Sequence, residues 1–312
     1  VGGVAIDIAL SAGVAPVTRH RDHAALNHAL IAVEQARGAH RTAALFDAEA
    51  YGDPAKNLSL MSEMIEGINH GALSLHYQPK LDLRTRRIAG AEGLVRWRHP
   101  TRGPIAPDVF VTMAERTGHI HSLTEWSLIQ AIADQRIMRA ASLDLTISVN
   151  LSGRLIGDNT FTDVALSLID DTDASLSLEI TETAAMHDPD AAMRNIARYT
   201  EAGVKISIDD FGAGLSSLDY LKRIRAHELK LDKSFTETLT PDSRAALLVR
   251  TGIEIAHGLG MSITAEGVET AVALETLATM GCDHAQGYHI GRPQPPAALI
   301  SQLRSPPTRA SA

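Results

Sequence analysis

Cysteine is nearly missing from this chain. Cys282 stands alone among 312 residues, so no intrachain disulfide is possible and nothing points to secretion. An excess of positive charge is missing too. The formal net charge of -8 argues against non-specific binding of a nucleic-acid polymer through a basic surface. No apolar run reaches the roughly 18 residues that a membrane-spanning helix needs. The N-terminal "VGGVAIDIALSAGVAPV" is apolar, but it lacks a basic leader and Asp7 interrupts it. It reads as a strand inside a truncated domain and not as a signal peptide, and the expected compartment is the cytoplasm. An acidic chain can still hold a phosphate-bearing ligand where divalent cations supply the positive charge.

What is present is apolar material in a repeating pattern. Hydrophobic residues make up 45% of the chain, enough to bury a sizeable core. Residues 1–50 carry a β-like run at 4–15, a helical stretch at 22–41 and the short segment "TAALFD". The turn-rich "YGDPAKN" at 51–57 reads as a linker, and Leu58, Met61, Ile65 and Ile68 set a helix over 58–70. Strand-like segments are predicted at 73–83, 88–97, 144–152, 176–183, 205–211, 227–232, 262–269 and 284–291. Helical stretches such as 122–141, 189–202, 242–259 and 270–280 lie between most of them. Eight strands alternating with helices over about 240 residues is the arithmetic of an α/β fold, the (β/α)8 barrel. "RTRR" at 84–87 is too short for a parallel crossover, which needs about a dozen residues. The first two strands are therefore expected to form a hairpin, with one barrel strand running against the others.

In such a barrel, chemistry sits at the carboxyl ends of the strands. Those ends carry Glu92 and Arg96, Asn150, Glu179 and Glu182, Asp209 and Asp210, Lys230 and Asp232, Glu266 and Glu269, and Gln286. A barrel interior is ordinarily filled by branched apolar side chains, and so many acids on one rim repel unless cations sit among them. Oxygen donors without His or Cys partners suit a hard ion such as Mg²⁺ or Mn²⁺. A carboxylate shared by two such ions is the arrangement for in-line attack on a phosphodiester. Neighbours in a regular strand point to opposite faces, so Gly212 and Gly214 are expected to let the backbone turn until both Asp209 and Asp210 face the cations.

These residues lie in segments that resemble the EAL-domain family of cyclic-di-GMP phosphodiesterases. The Glu-Ala-Leu signature stands here as Glu92-Gly93-Leu94 within "AEGLVRWRHP". The resemblance runs through "YQPKLDL", "SVNLS", "EITET", "IDDFGAGLSSLDYLK", "LKLD", "AEGVET" and "QGYHIGRP", over roughly 57–300 in family order. It implies a TIM-like barrel with one antiparallel strand, occupying 58–305 once the 51–57 linker is set aside. It also implies a cyclic-guanylate-specific phosphodiesterase that yields linear 5'-pGpG with Mg²⁺ or Mn²⁺, as two ions. Glu92, Asn150, Glu179 and Asp209 would hold the first ion, and Asp209 and Asp210 the second, with Glu266 close by. Lys230 would orient the attacking water or stabilise developing charge. Glu182 would anchor the loop after 205–211, and Gln286 would support the water network. Arg96 would contact a phosphate. Gln78, Asp232 and Glu269 would face the rest of the nucleotide, next to the signature residues Glu92 and Leu94. A homodimer through this domain is implied as well.

Two departures stand out. Gly93 replaces the signature alanine, a small-for-small change, and Ala213 and Leu215 stand where the family often has Thr and Tyr. That second loop couples metal binding to dimer formation in the family, so activity or its regulation is the property at stake. Residues 1–50 are similar to the tail of a GGDEF domain, with "IALSAGVAP" at 8–16 in place of a Ser-x-Gly-x-Ala strand. The name-giving turn is absent, so no cyclase is expected, and an upstream GGDEF or sensor domain is implied.

Each feature also has a plainer explanation. "DFG" at 210–212 has no H-R-D loop beside it, and "GAGLSS" lacks the third glycine of a dinucleotide fingerprint. Lys230 taken alone is a barrel lysine paired with an acid, and Arg96 a surface salt-bridge residue. Gln78, Asp232, Glu269 and Gln286 taken alone are strand-end hydrogen bonders. A non-catalytic cyclic-di-GMP receptor and a regulatory dimerisation module stay open beside the enzyme.

Overall fold

The computed structural model describes residues 12–16, 42–46, 54–170, 172–181, 184, 188–212, 218–241 and 244–304, with single positions at 25, 29, 32, 33 and 36. Two units are distinguished, Val1–Glu63 and Met64–Ala312. In the first, β1 (Ala12–Val14) and β2 (Ala43–Leu45) pair in parallel. Most of the β-like run at 4–15 and of the helical stretch at 22–41 lies outside the described residues. Helix α1 (Pro54–Asn69) starts inside the segment read as a linker. Proline suits a first helical position, because a helix leaves that N–H unbonded anyway.

The second unit opens with the expected hairpin. β3 (Leu73–Asp82) and β4 (Arg87–His99) run antiparallel from the Leu73↔Trp97 pair to the Asp82↔Arg87 pair. A short β5 (Gly103–Ile105) folds back on the end of β4. The remaining barrel strands are β6 (Thr146–Asn150), β7 (Leu176–Thr181), β8 (Lys205–Phe211), β9 (Glu228–Leu231), β10 (Ser262–Ala265) and β11 (His284–Gln286). They pair in parallel in that order, and β11 closes the barrel against β3 in antiparallel register. Strand β3 is thus the one reversed member of an eight-strand ring. Helices α2 (Pro107–Thr117), α3 (Ile120–Ala140), α4 (Gly153–Ile156), α5 (Asn159–Asp170), α6 (Pro189–Glu201), α7 (Leu218–Arg223), α8 (Arg244–Gly258), α9 (Ala271–Met280) and α10 (Pro296–Arg304) complete the unit.

Two strands end four or five residues earlier than alternation predicts. β10 stops at Ala265, not 269, and β11 at Gln286, not 291. Gly267 takes φ +62 and turns the chain out of the sheet. The two departing loops then bond to each other, with Val268 N–H donating to the Gln286 carbonyl and His289 N–H to that of Val268. The alternating pattern therefore persists beyond the ladder.

The interior also differs from the apolar filling that barrels ordinarily have. Ile147, Leu178, Ile206, Ile208, Leu229 and Ile263 are fully buried, and they alternate with polar residues along their strands. The polar set includes Lys80, Glu92, Ser177, Glu179, Ser207, Glu228, Lys230 and Thr264, all buried. These side chains bond to one another across the barrel: Lys80 to Glu228, Ser207 and Thr264 to Glu228, and Lys230 to Glu179. With period-two alternation, the apolar faces point outward to the helices and a polar column fills the ring. That column supplies the site.

Candidate active site

The upper end of the column is organised by Lys230. Its Nζ lies 2.6 Å from Glu179, 2.7 Å from Glu266, 3.1 Å from Asp209 and 3.8 Å from Glu92. Side-chain exposure is 1% for Lys230 and Glu179, but 14% for Asp209 and 20% for Glu266. Lys230 and Glu179 form the floor, and Asp209 and Glu266 rise toward solvent. Burial works against the ammonium, yet the carboxylates of Glu179, Glu92, Glu266 and Asp209 hold its pKa well above the usual range. Four carboxylates around one ammonium leave negative charge unbalanced.

The carboxylates feel this surplus unequally. Glu92 accepts from Asn150 Nδ2 at 2.9 Å and from Gln286 Nε2 at 2.6 Å. Burial opposes its charge, but Lys230 and those two donors prevail and hold its pKa below the ordinary value. Glu179 has the closer ammonium but lacks such amide donors. Its complete burial and the charges of Glu92 and Asp209 push its pKa well up. Glu266 is raised to about 7 by burial, with Asp209 and Glu92 adding repulsion. Burial and the charges of Asp209 and Asp232 raise Asp210.

Both aspartates reach the site, and the turn that brings them there begins before the expected glycines. β8 and β9 lose register between Ile208 and Phe211, and Asp210 itself sits at φ +56. An aspartate tolerates this left-handed conformation better than most side chains. Asp210 N–H donates to Asp209 Oδ1 at 3.0 Å, which holds the kink. Gly212 follows at φ +89, and a Cβ there would lie 2.5 Å from the Phe235 ring. Gly214, Ala213 and Leu215 lie outside the described residues. The kink brings ligand atoms of Asp209, Asp210 and Glu266 within 4.8 Å of one another. An all-oxygen donor set with surplus negative charge fits a hard divalent cation. Asn150 spends its Nδ2 on Glu92 and keeps its carbonyl oxygen as a further donor.

A model of the EAL domain family matches residues 61–293. The chain belongs to that family. Among curated relatives, it is 37% identical to the bifunctional diguanylate cyclase/cyclic di-GMP phosphodiesterase MucR of Pseudomonas aeruginosa, over 83% of this chain and 38% of that protein. It is 35% identical to the cyclic di-GMP phosphodiesterase NbdA of the same organism, over 90% of this chain and 36% of that protein. The chain thus spans well under half the length of these relatives. The solved structure of the PaMucR phosphodiesterase in complex with c-di-GMP superposes with a TM-score of 0.72 at 38% identity, over 77% of this chain and 99% of that one.

Two depressions flank the EAL carboxylates, with Leu94 lining both. One, of about 360 Å³, is lined by Gln78, Glu92, Asp209, Glu266, Glu269 and Gln286 among others. The other, of about 710 Å³, includes Arg96, Asn150, Glu179 and Asp210. Arg96 donates from Nη1 to the Val95 carbonyl. Gln78 donates to the Gly291 carbonyl and accepts from Gln286 at 3.4 Å. Asp232 lines neither depression. It caps the turn Lys233–Phe235 by accepting from Ser234 N–H at 3.0 Å. Glu182 lies outside the described residues. Lys233, Glu237 and Tyr288 line the smaller depression and were not singled out from the sequence. "LKLD" ends one residue before Lys233, and only the position of the turn reveals where that side chain stands.

Proposed function

We propose that this chain hydrolyses one phosphodiester of cyclic-di-GMP to linear 5'-pGpG, with Mg²⁺ or Mn²⁺ as the required ions. The observation that carries this reading is the surplus of carboxylates around Lys230, two of which, Asp209 and Glu266, have ligand atoms within 4.8 Å of each other and of Asp210. The names of MucR and NbdA support it. Glu92, Asn150, Glu179 and Asp209 would hold one ion; Asp209, Asp210 and Glu266 would hold a second. Bound there, such ions neutralise phosphate charge and lower the pKa of a coordinated water.

The protein's own residues do the positioning. Asn150 and Gln286 fix both oxygens of Glu92. Lys230 keeps the floor carboxylates together and offers its charge toward the reacting phosphate. Arg96 takes a phosphate oxygen. Gln78, Leu94 and Glu269 face the nucleotide, Asp232 sets the turn beside it, and Glu182 braces the loop after β8.

The domain is assigned to 58–305, and residues 1–50 to the end of a GGDEF-like domain in a longer cytoplasmic protein. Homodimerisation through the EAL domain belongs to the same reading. Among the described residues, no helix is long and apolar enough to cross a membrane.

The test is incubation with cyclic-di-GMP and Mg²⁺ or Mn²⁺, with products resolved by chromatography beside EDTA and Glu92→Ala controls. Metal-dependent pGpG, absent from both controls, is expected. Binding without turnover makes the chain a receptor, and the absence of both leaves a dimerisation module.

A further inference from the structure

We infer that Lys233 binds the phosphate of cyclic-di-GMP that is not cleaved, and so acts as a positioning residue for the ring. This rests on the proposed substrate. The ring carries two phosphodiesters, each with a negative charge, and hydrolysis at one leaves the other intact. The smaller depression, where the ring continues past the cluster, is lined by Glu92, Asp209, Glu237, Glu266 and Glu269. A phosphate there faces carboxylates and needs a cation. Among the described residues lining that depression, Lys233 is the one lysine or arginine. Arg96 stands on the other side of Leu94, in the larger one.

The backbone of Lys233 is fixed to the catalytic rim. Asp232 caps its turn, and Thr236, one residue beyond that turn, donates its hydroxyl to both the Lys233 and the Glu266 carbonyls. Gly267 packs so tightly on it that a Cβ there would lie 2.5 Å from Lys233 Cβ. At φ +62, that glycine also could not be replaced without strain. Lys233 therefore springs from a base packed against Gly267, the neighbour of Glu266, while the residue itself is exposed. Among the described residues its ammonium makes no ion pair within 4 Å, and the Asp232 carboxylate, which feels its charge, is occupied in capping the turn. A compact, strongly charged donor on a fixed stem suits a phosphate oxygen.

The test compares wild type, Lys233→Gln and Lys233→Arg with two probes: cyclic-di-GMP and bis(p-nitrophenyl) phosphate, which has a single phosphodiester. Turnover is followed with Mn²⁺, and cyclic-di-GMP affinity is measured by calorimetry with Ca²⁺. Lys233→Gln is expected to raise KM and Kd for cyclic-di-GMP about tenfold or more, the worth of a charge-assisted hydrogen bond. Its kcat stays within about twofold, and cleavage of the single diester is unchanged. Lys233→Arg restores most of the affinity. Unchanged KM and Kd in Lys233→Gln overturn the proposal, as does an equal loss on both probes. A wild type that binds cyclic-di-GMP without cleaving it removes the enzymatic reading but leaves the affinity comparison decisive. A wild type that neither binds nor cleaves it overturns both.

Discussion

Lys80 and Lys230 stand in the same polar column, both nearly buried, one toward each mouth of the barrel. Lys80 has a single carboxylate partner. Glu228 meets it with both oxygens at 2.8 Å, and Ser207 and Thr264 donate to the same carboxylate. Burial opposes that charge, but Lys80 and the hydroxyls outweigh it and bring the Glu228 pKa down to about 2. Every charge there has its counterpart. Around Lys230 the carboxylates outnumber the ammonium, and Glu179, Glu266 and Asp210 are raised above the ordinary range, with burial the leading cause. The lower pair is a closed structural element. The upper cluster stays short of positive charge, a shortage that divalent cations would relieve.

The contrast breaks most visibly at Lys230. Lys230→Met is expected to lower cyclic-di-GMP hydrolysis by at least about a hundredfold, as for loss of a group stabilising developing charge. Its melting temperature should gain more from Mn²⁺ than that of the wild type, because more negative charge awaits a partner. Activity within tenfold of wild type would remove Lys230 from the chemistry.

At the other end the effect is on stability. Lys80→Met leaves a buried carboxylate alone and should cost about 3–5 kcal/mol in urea unfolding. The double variant Lys80→Met/Glu228→Leu should recover most of that, since replacing a buried pair by apolar groups is often neutral. A double variant as unstable as the single one would mean that the pair does more than satisfy itself.

The smallest effect is a pH dependence. Glu228 sits at about 2 against an ordinary 4.5. Its contribution is complete above pH 4.5 and lost as pH falls toward 2. It amounts to about 3 kcal/mol at full strength. Acid unfolding of wild type should show this slope, and the double variant should lack it.

Much of this was legible beforehand, for physical reasons. The hairpin followed from the four residues of "RTRR", and the carboxylate set from what stands at strand ends. The lower pair was not legible. Glu228 in "HELKLD" looks like any strand acid, and its partner Lys80 lies 148 positions away on the reversed strand. The polar column escaped notice because alternation reveals two faces but not which one points inward. The glycines foretell a turn, and Gly212 takes one, but nothing in the sequence shows that Asp210 itself takes the left-handed backbone first. Lys233 lies in a turn, where side-chain direction depends on Gly267, a residue from another strand's loop.

The reversed strand has a consequence for how the domain is wired. In an all-parallel barrel, the chain enters at the face opposite the chemistry. Here β3 begins at Leu73, beside Trp97, five residues past Glu92 on β4, or roughly 17 Å at strand spacing. The chain therefore enters the barrel from the catalytic side. Gln78 and Glu92 face each other within that same hairpin. The segment that leads into Leu73 and the carboxylates of the site therefore share one end of the barrel.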